Sequence, residues 1–403
     1  MRILMLAPEP VYTPRGTPIS VINRCRALAA LGHRVDLVTY PIGDDVAIPG
    51  LRFIRTPRLP GLSRVRIGPS LAKLPLDGFV LLAAVRQLLT NRYDVLHTHE
   101  EAGVMGWLLR GVFRLPHVHD IHCDMLGVLR DYGFRRRHPL VLVAGWLERR
   151  ALQGAEALIV VFPRLVPAVR QQAPRTPVHL VNNTALDGLA DAELVRRLRA
   201  RWGLRRPVIL YAGTLEPYQG IPRLLEAMRP VRRALPEARL VLVGGRPEQV
   251  EETARLATRL DVAGSVTVEG QRPAGEIPSY VAAADVLVSP RLDGINTPLK
   301  LYTYLRAGRP IVATRTESHL QILNERCAVL VDLGPDAIAE GLIAVLRDRA
   351  LAHRLSLGAA ERAKDFGIDR FLRETAAVYE GVGAPAPTEP ALRQAASALT
   401  GSA

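Results

Sequence analysis

The sequence predicts an α/β protein built from two Rossmann-like domains, each a parallel sheet wrapped by helices, and three observations carry that expectation. Short unbroken apolar runs, such as 2–7, 208–211 and 286–289, have the form of strands covered on both faces. The second half of the chain repeats the order of the first: strand, glycine turn, amphipathic helix. At 403 residues the chain is too long for one core, since a domain takes roughly 150 residues.

Hydrophobic and charged contents of 48% and 23% are those of a soluble globular protein. No apolar run is long enough to span a bilayer, because 78–89 is broken by Arg86 and 139–147 is too short. The opening residues 1–7 run into Pro8-Glu9-Pro10, which suits a first buried strand better than a signal peptide. Cys25, Cys123 and Cys327 are far apart and form no C-x-x-C, as expected in a reducing cytoplasm. The formal charge of +14 suggests a polyanionic partner. Only three of the 53 basic residues are lysines (Lys73, Lys300, Lys364), however, which indicates an arginine-biased composition and not a dedicated nucleic-acid patch.

The first domain is expected over 1–186. After the first strand comes a loop, Arg15-Gly16-Thr17-Pro18, then a helix over 19–31 and a strand over 35–39. The Gly16 loop therefore lies at the carboxyl end of a strand, where open α/β sheets bind ligands, although G-x-G-x-x-G is missing. The stretch 57–75 mixes proline, glycine, arginine and leucine; it reads as a solvated loop or as a segment resting on an anionic membrane surface, as does Phe134-Arg135-Arg136-Arg137-His138. Strands follow at 93–98 and 116–121, with a helix over 102–114 between them. Around them cluster His97, His99, His117, His119 and His122 with Asp120 and Asp124. Strand alternation sends His117 and His119 to one face and Asp120 and His122 to the other, so no metal is expected, and His122 faces the ligand crevice while the rest pack. Further strands fall at 157–161 and 178–181, and the charged stretch 187–206 reads as the linker.

The second domain, 207–362, opens with a strand, the turn Gly213-Thr214-Leu215 and a helix from Gly220, followed by strands at 239–243, ending on Gly244-Gly245, and at 265–269. Over 283–314 a strand at 286–289 meets a loop at 290–297, a helix opened by Pro298 and a strand from Pro310. Helix starts attract anions because their first N–H groups lack partners. Thr297 is placed to cap this one and Lys300 to add a full charge. A helix over 363–380 is expected to return to the first domain, and 381–403 reads as a disordered tail.

These pieces in this order resemble the GT-B glycosyltransferases of the group 1, or family 4, kind. The resemblance rests on the Gly16 loop, Leu31-Gly32-His33, 94–99, Pro116 with His122, Glu148 ahead of 155–160, Tyr211-Ala212-Gly213-Thr214-Leu215 with Gly220, Val243-Gly244-Gly245, 284–286 and 307–312. It implies two domains facing each other across a cleft. It further implies hexosyl transfer from a nucleotide diphosphate sugar to a glycan or lipid-linked acceptor, with retention, without a required metal, and without a cofactor beyond the donor. It is compatible with a peripheral protein at the inner face of the membrane. Where the family often carries Arg or Lys, this chain has Thr214 and Gln219, and the family's two glutamates fall on Ile295 and Thr303. The resemblance thus assigns catalysis to His122, Asp293 and Lys300. It assigns donor binding to Gly16, Gly213, Thr214, Gln219, Gly244, Gly294, Asn296, Thr297 and Lys300. The competing reading is a degenerate member that binds nucleotide sugar without transferring it.

Overall fold

The computed structural model describes residues 1–11, 16–59, 73–123, 138–204 and 206–401. They divide into two units, Met1–Asn183 with Ile368–Leu399, and Thr184–Gly367 with the residues from Thr400.

In the first unit, strands β1 (Arg2–Ala7), β2 (Arg34–Thr39), β3 (Leu51–Arg55), β4 (Val95–His99), β5 (His117–Ile121), β6 (Ala157–Val160) and β7 (Val178–Leu180) form one parallel sheet in the order β3-β2-β1-β4-β5-β6-β7. Residues Ile3 to Ala7 are fully buried, because helices cover both faces and the strand has no polar side to show. The helices are α1 (Gly16–Ala30), α2 (Lys73–Thr90), α3 (Ala102–Phe113), α4 (Pro139–Gln153) and α5 (Leu165–Gln172).

The second unit runs α6 (Ala192–Trp202), β8 (Val208–Ala212), a 3₁₀ turn (Pro217–Gln219), α7 (Ile221–Ala234), β9 (Arg239–Val243), α8 (Pro247–Arg259), β10 (Val266–Gly270) and α9 (Ile277–Ala282). It continues with β11 (Val286–Ser289), α10 (Lys300–Arg306), β12 (Ile311–Thr314), α11 (Glu317–Leu320), β13 (Ala328–Val331), α12 (Pro335–Arg347) and α13 (Arg349–Lys364). Its parallel sheet has the order β10-β9-β8-β11-β12-β13, the Rossmann arrangement. Along β8 alternate residues enter opposite cores: Val208, Leu210 and Ala212 on one face, Ile209 and Tyr211 on the other. The chain then returns to the first unit with α14 (Ile368–Glu380) and α15 (Glu389–Gly401).

Several boundaries differ from expectation. Gly16 is not in a loop but is the first residue of α1, since Pro18 falls in the first turn, where a missing N–H is tolerated. The stretch 187–206 is no linker. Asp191 caps α6 through its carboxylate (2.8 Å to the Glu193 N–H), and Leu198 and Trp202 enter the core of the second unit. The tail is not disordered throughout, because α15 buries Leu392, Ala395 and Leu399 along one stripe. The second unit reaches Gly367 and not 362, as α13 runs to Lys364. Of the stretch 57–75, residues 60–72 lie outside the described residues and Lys73-Leu74-Pro75 open α2. Residues 134–137, Arg15 and Asp124 also lie outside them.

Candidate active site

In both sheets the strand order reverses beside the first strand of the unit, between β1 and β4 and between β8 and β11, and ligand crevices open at such switch points. In the second unit the loops after β8 and β11 meet there. Gly213 takes φ 150° and donates its N–H to the Val243 carbonyl (2.9 Å), while Gly244, with φ 120°, donates to Gly270 (2.7 Å). A Cβ on Gly244 would stand 2.0 Å from the Gly213 carbonyl oxygen, so the two turns interlock only as glycines. Gly220, which precedes α7, is held as closely, with a Cβ site 2.0 Å from the Pro290 carbonyl oxygen. Thr214 contributes its carbonyl to the Tyr211 hydroxyl (2.6 Å).

Lys300 extends into this corner. Its ammonium donates to Gln219 Oε1 (3.0 Å), lies 3.8 Å from the centre of the Tyr211 ring, and closely borders Gly213. Residues 81 positions apart in sequence thus become one constellation. Burial, and then the nearby Arg291 guanidinium, hold the Lys300 ammonium well below the usual lysine range. Arg291, which sequence reasoning missed, ties the loop together: its Nε donates to the Asp293 carbonyl (2.5 Å), its Nη1 to the Asn296 carbonyl (3.1 Å), and it lies over Tyr218. Gly294 takes φ 113° there, a conformation that residues with a side chain rarely adopt. The only available signal was the position of Arg291 directly past the carboxyl end of β11.

The helix start itself departs from expectation. Helix α10 begins at Lys300 and not at Pro298, so Lys300 is its first residue; no side chain caps it, and Thr297 Oγ1 is buried without a partner. Asp293 is exposed and accepts the Gly294 N–H (2.6 Å), which leaves that amide occupied. At the two positions where the resemblance places glutamates, Ile295 is exposed and the Thr303 hydroxyl donates to Asp187 (2.7 Å).

In the first unit the histidines separate as strand alternation requires. His117 Nε2 and His119 Nδ1 both meet Thr98 Oγ1 (2.7 and 3.0 Å), packed under Gly106 and Gly103 of α3, where any Cβ would strike the imidazoles. On the other face His122 Nε2 pairs with Asp120 Oδ1 (3.1 Å). Asp120 also holds Arg24 Nε at 3.1 Å, both side chains being 2% exposed or less, and Arg24 Nη1 donates to Thr375 Oγ1 (2.6 Å) on α14. Tyr379 of the same helix meets His97 Nδ1 (2.6 Å). Burial pushes His122 down, but the Asp120, Glu100 and Glu9 carboxylates outweigh it and raise the imidazole above its ordinary value, while Arg24 and His122 hold Asp120 well below the carboxylate range. Ligand atoms of His97, His99 and Asp120 lie within 4.8 Å of one another, the spacing of a metal site. The guanidinium of Arg24 already sits on the same Asp120 oxygen, so a divalent ion would have to displace a buried cation. Beside His122, Glu9 is pushed up to about 8 by burial, against the pull of His122 and with a push from Glu100 and Glu101. Gly16, placed at the start of α1, is exposed.

Two family models match the chain: "Glycosyl transferase 4-like domain" over 16–184 and "Glycosyl transferases group 1" over 206–348. A D-inositol 3-phosphate glycosyltransferase from Corynebacterium diphtheriae is 27% identical, covering 91% of each chain. A phosphatidyl-myo-inositol mannosyltransferase from Mycobacterium leprae is 26% identical over 95% of this chain and 97% of its own. Among solved structures, sucrose-phosphate synthase from Thermosynechococcus elongatus superposes with a TM-score of 0.77 at 24% identity, covering 94% of this chain and 98% of that one. Anabaena HepE in complex with UDP-glucose gives 0.72 at 19% identity, over 94% and 99%. Matched in order by both models and by full-length relatives, the chain belongs to the group 1 glycosyltransferases and has the GT-B fold.

Proposed function

We propose that this glycosyltransferase takes its sugar from a nucleotide diphosphate donor whose pyrophosphate is held in the second unit by Lys300, with Gly213, Thr214, Gln219, Gly244 and the 294–297 loop shaping the pocket. The convergence of Lys300, Gln219 and Gly213 at the switch point is the observation that carries this reading. A partly buried ammonium there would neutralise charge growing on the departing phosphate. Arg291 would keep the loop in shape. His122, whose charged form the Asp120 carboxylate favours, would donate to a hydroxyl of the transferred sugar, and Asp293 would approach that sugar from the loop. Charge neutralisation by Lys300 instead of a cation makes transfer independent of metal, so activity is expected to survive chelation. Same-face transfer with retention is the expected stereochemistry, checked by the anomeric coupling of the product.

The acceptor we propose is a hydroxyl on a lipid-linked or polysaccharide glycan at the inner face of the membrane; the names of the relatives add phosphoinositols, free or lipid-borne, to the acceptors worth assaying. Calorimetry with UDP and other nucleoside diphosphates tests the donor site directly, and unchanged binding in Lys300→Ala would refute the phosphate assignment. The bonding of Thr303 to Asp187 and the exposure of Ile295 favour one second reading, a binder without turnover. Donor affinity with no product over the acceptor panel would establish it.

A further inference from the structure

Behind the 290–297 loop of the second unit lies a buried polar network that the donor site does not itself use. Ser289 ends β11, Thr314 ends β12 and His319 sits on the short helix α11, and all three are fully buried. His319 Nδ1 lies 2.6 Å from the Thr314 carbonyl, and Nε2 lies 2.9 Å from Ser289 Oγ. A carbonyl can only accept, so Nδ1 carries the ring proton and Nε2 is left to accept from the Ser289 hydroxyl. Burial lowers this imidazole to about 4, against the pull of the Thr314 carbonyl and with a further push from Lys300 and Arg291. The ring is therefore neutral at ordinary pH and adds no charge beside those two side chains.

The network grips the loop at several points. Thr314 Oγ1 donates to the Arg291 carbonyl (2.5 Å), and the Leu292 N–H donates to the Tyr218 carbonyl (2.9 Å). Two residues past His319, Gln321 Nε2 donates to the Ile295 carbonyl (2.7 Å). The turn after β12 thus holds the loop at its root and at its middle, while Arg291 ties its own part to the carbonyls of 293 and 296. An ordinary core histidine needs only to have its nitrogens satisfied. Both bonds of His319 instead end on the strand residues that lead to or support the loop, and a binding site is only as precise as the contacts behind it.

We propose that His319 is a positioning residue of the donor pocket: its Nδ1-protonated ring pins Ser289 at the root of the 290–297 loop and, with Gln321, sets where Arg291 and Lys300 stand. The role rests on the reading of this pocket as the pyrophosphate site.

Calorimetry of the full chain with UDP tests it. Phenylalanine fills the space of the ring without its nitrogens, and the Thr314 carbonyl keeps the Thr316 N–H (2.8 Å), so His319→Phe is expected to fold. It should bind UDP about 5- to 10-fold more weakly. His319→Gln, which can again accept from Ser289, should recover most of that loss, and Leu320→Ala, on the exposed side of the same turn, should change nothing. In a Lys300→Met background His319→Phe should cost clearly less than it does alone, since part of what it positions is already gone. Equal losses in the two backgrounds would reveal a general stabilising role and overturn the proposal. Nitrogen-15 spectra of histidine-labelled protein should find the His319 proton on Nδ1, and a proton on Nε2 alone would overturn it too. Should His319→Phe not fold, Ser289→Ala deletes the same bond and carries the same test. A Lys300→Met variant that binds UDP as the wild type does would sink the pyrophosphate reading and this role with it, whereas weakened binding in Lys300→Met beside an unaffected His319→Phe would sink the role alone.

Discussion

Burial, and then the Arg291 guanidinium, lower the pKa of Lys300, and an arriving pyrophosphate would oppose that shift. Binding of UDP should therefore be accompanied by proton uptake and weaken as pH rises. Calorimetry in buffers of different ionisation enthalpy measures the uptake, which Lys300→Met should abolish while weakening affinity about 10- to 100-fold. Asp120 has two cationic partners, so Asp120→Asn should cost about 3–5 kcal/mol by leaving Arg24 buried without its counter-ion. Where that variant folds, the His122 pKa should fall, because burial is then less opposed; imidazole NMR titration reads it. Glu9 contributes a pH dependence of its own. The folded chain keeps its proton up to about 8, whereas the unfolded chain releases it near 4.5, so stability declines as pH rises between those values. Glu9→Gln should be more stable than the wild type at about pH 9 and close to it at about pH 5, as measured by urea unfolding. None of these charge states is legible locally, since the groups responsible stand on separate strands and loops.

At the level of elements, glycine punctuation was readable and loop ties were not. Gly213, Gly220 and Gly244 announce turns by residue type alone, and the structure makes each necessary through a positive φ or a close approach. Gly244→Ala should destabilise the second unit by roughly 1–3 kcal/mol from backbone strain alone, with more from the clash, seen as a lower urea midpoint. Helix α10 starts two residues later than Pro298 suggests, because the chain first makes tighter turn bonds, from the Leu301 N–H to the Pro298 carbonyl (3.0 Å) and from the Tyr302 N–H to the Leu299 carbonyl (3.1 Å). The opposite error occurred at α1, where Pro18 looked like part of a loop and is in fact inside the first turn. The faces of His117, His119, Asp120 and His122 were correctly separated, because alternation along a strand is a local rule.

For the molecule as a whole, composition misled at the C-terminus. A proline- and alanine-rich tail looks unable to bury enough apolar area to order itself, yet α15 packs Leu392, Ala395 and Leu399 against a folded body. Truncation after Gly381 should lower stability by about 3 kcal/mol, from two buried leucines at roughly 1.5 kcal/mol each, and a thermal melt would detect it. A tail without structure would leave the melt unchanged. The sequence by itself determined the two parallel-sheet units, the places where the second unit's glycine turns fall and the family. Apolar runs, alternation and turn residues act over a few positions and do not depend on what lies elsewhere. Only the tertiary structure decided that Lys300 meets Gln219, that Arg291 braces the loop and that Thr375 supports the Arg24–Asp120 pair behind His122. Those facts depend on burial and on proximity between distant residues, which exist only once the chain has packed.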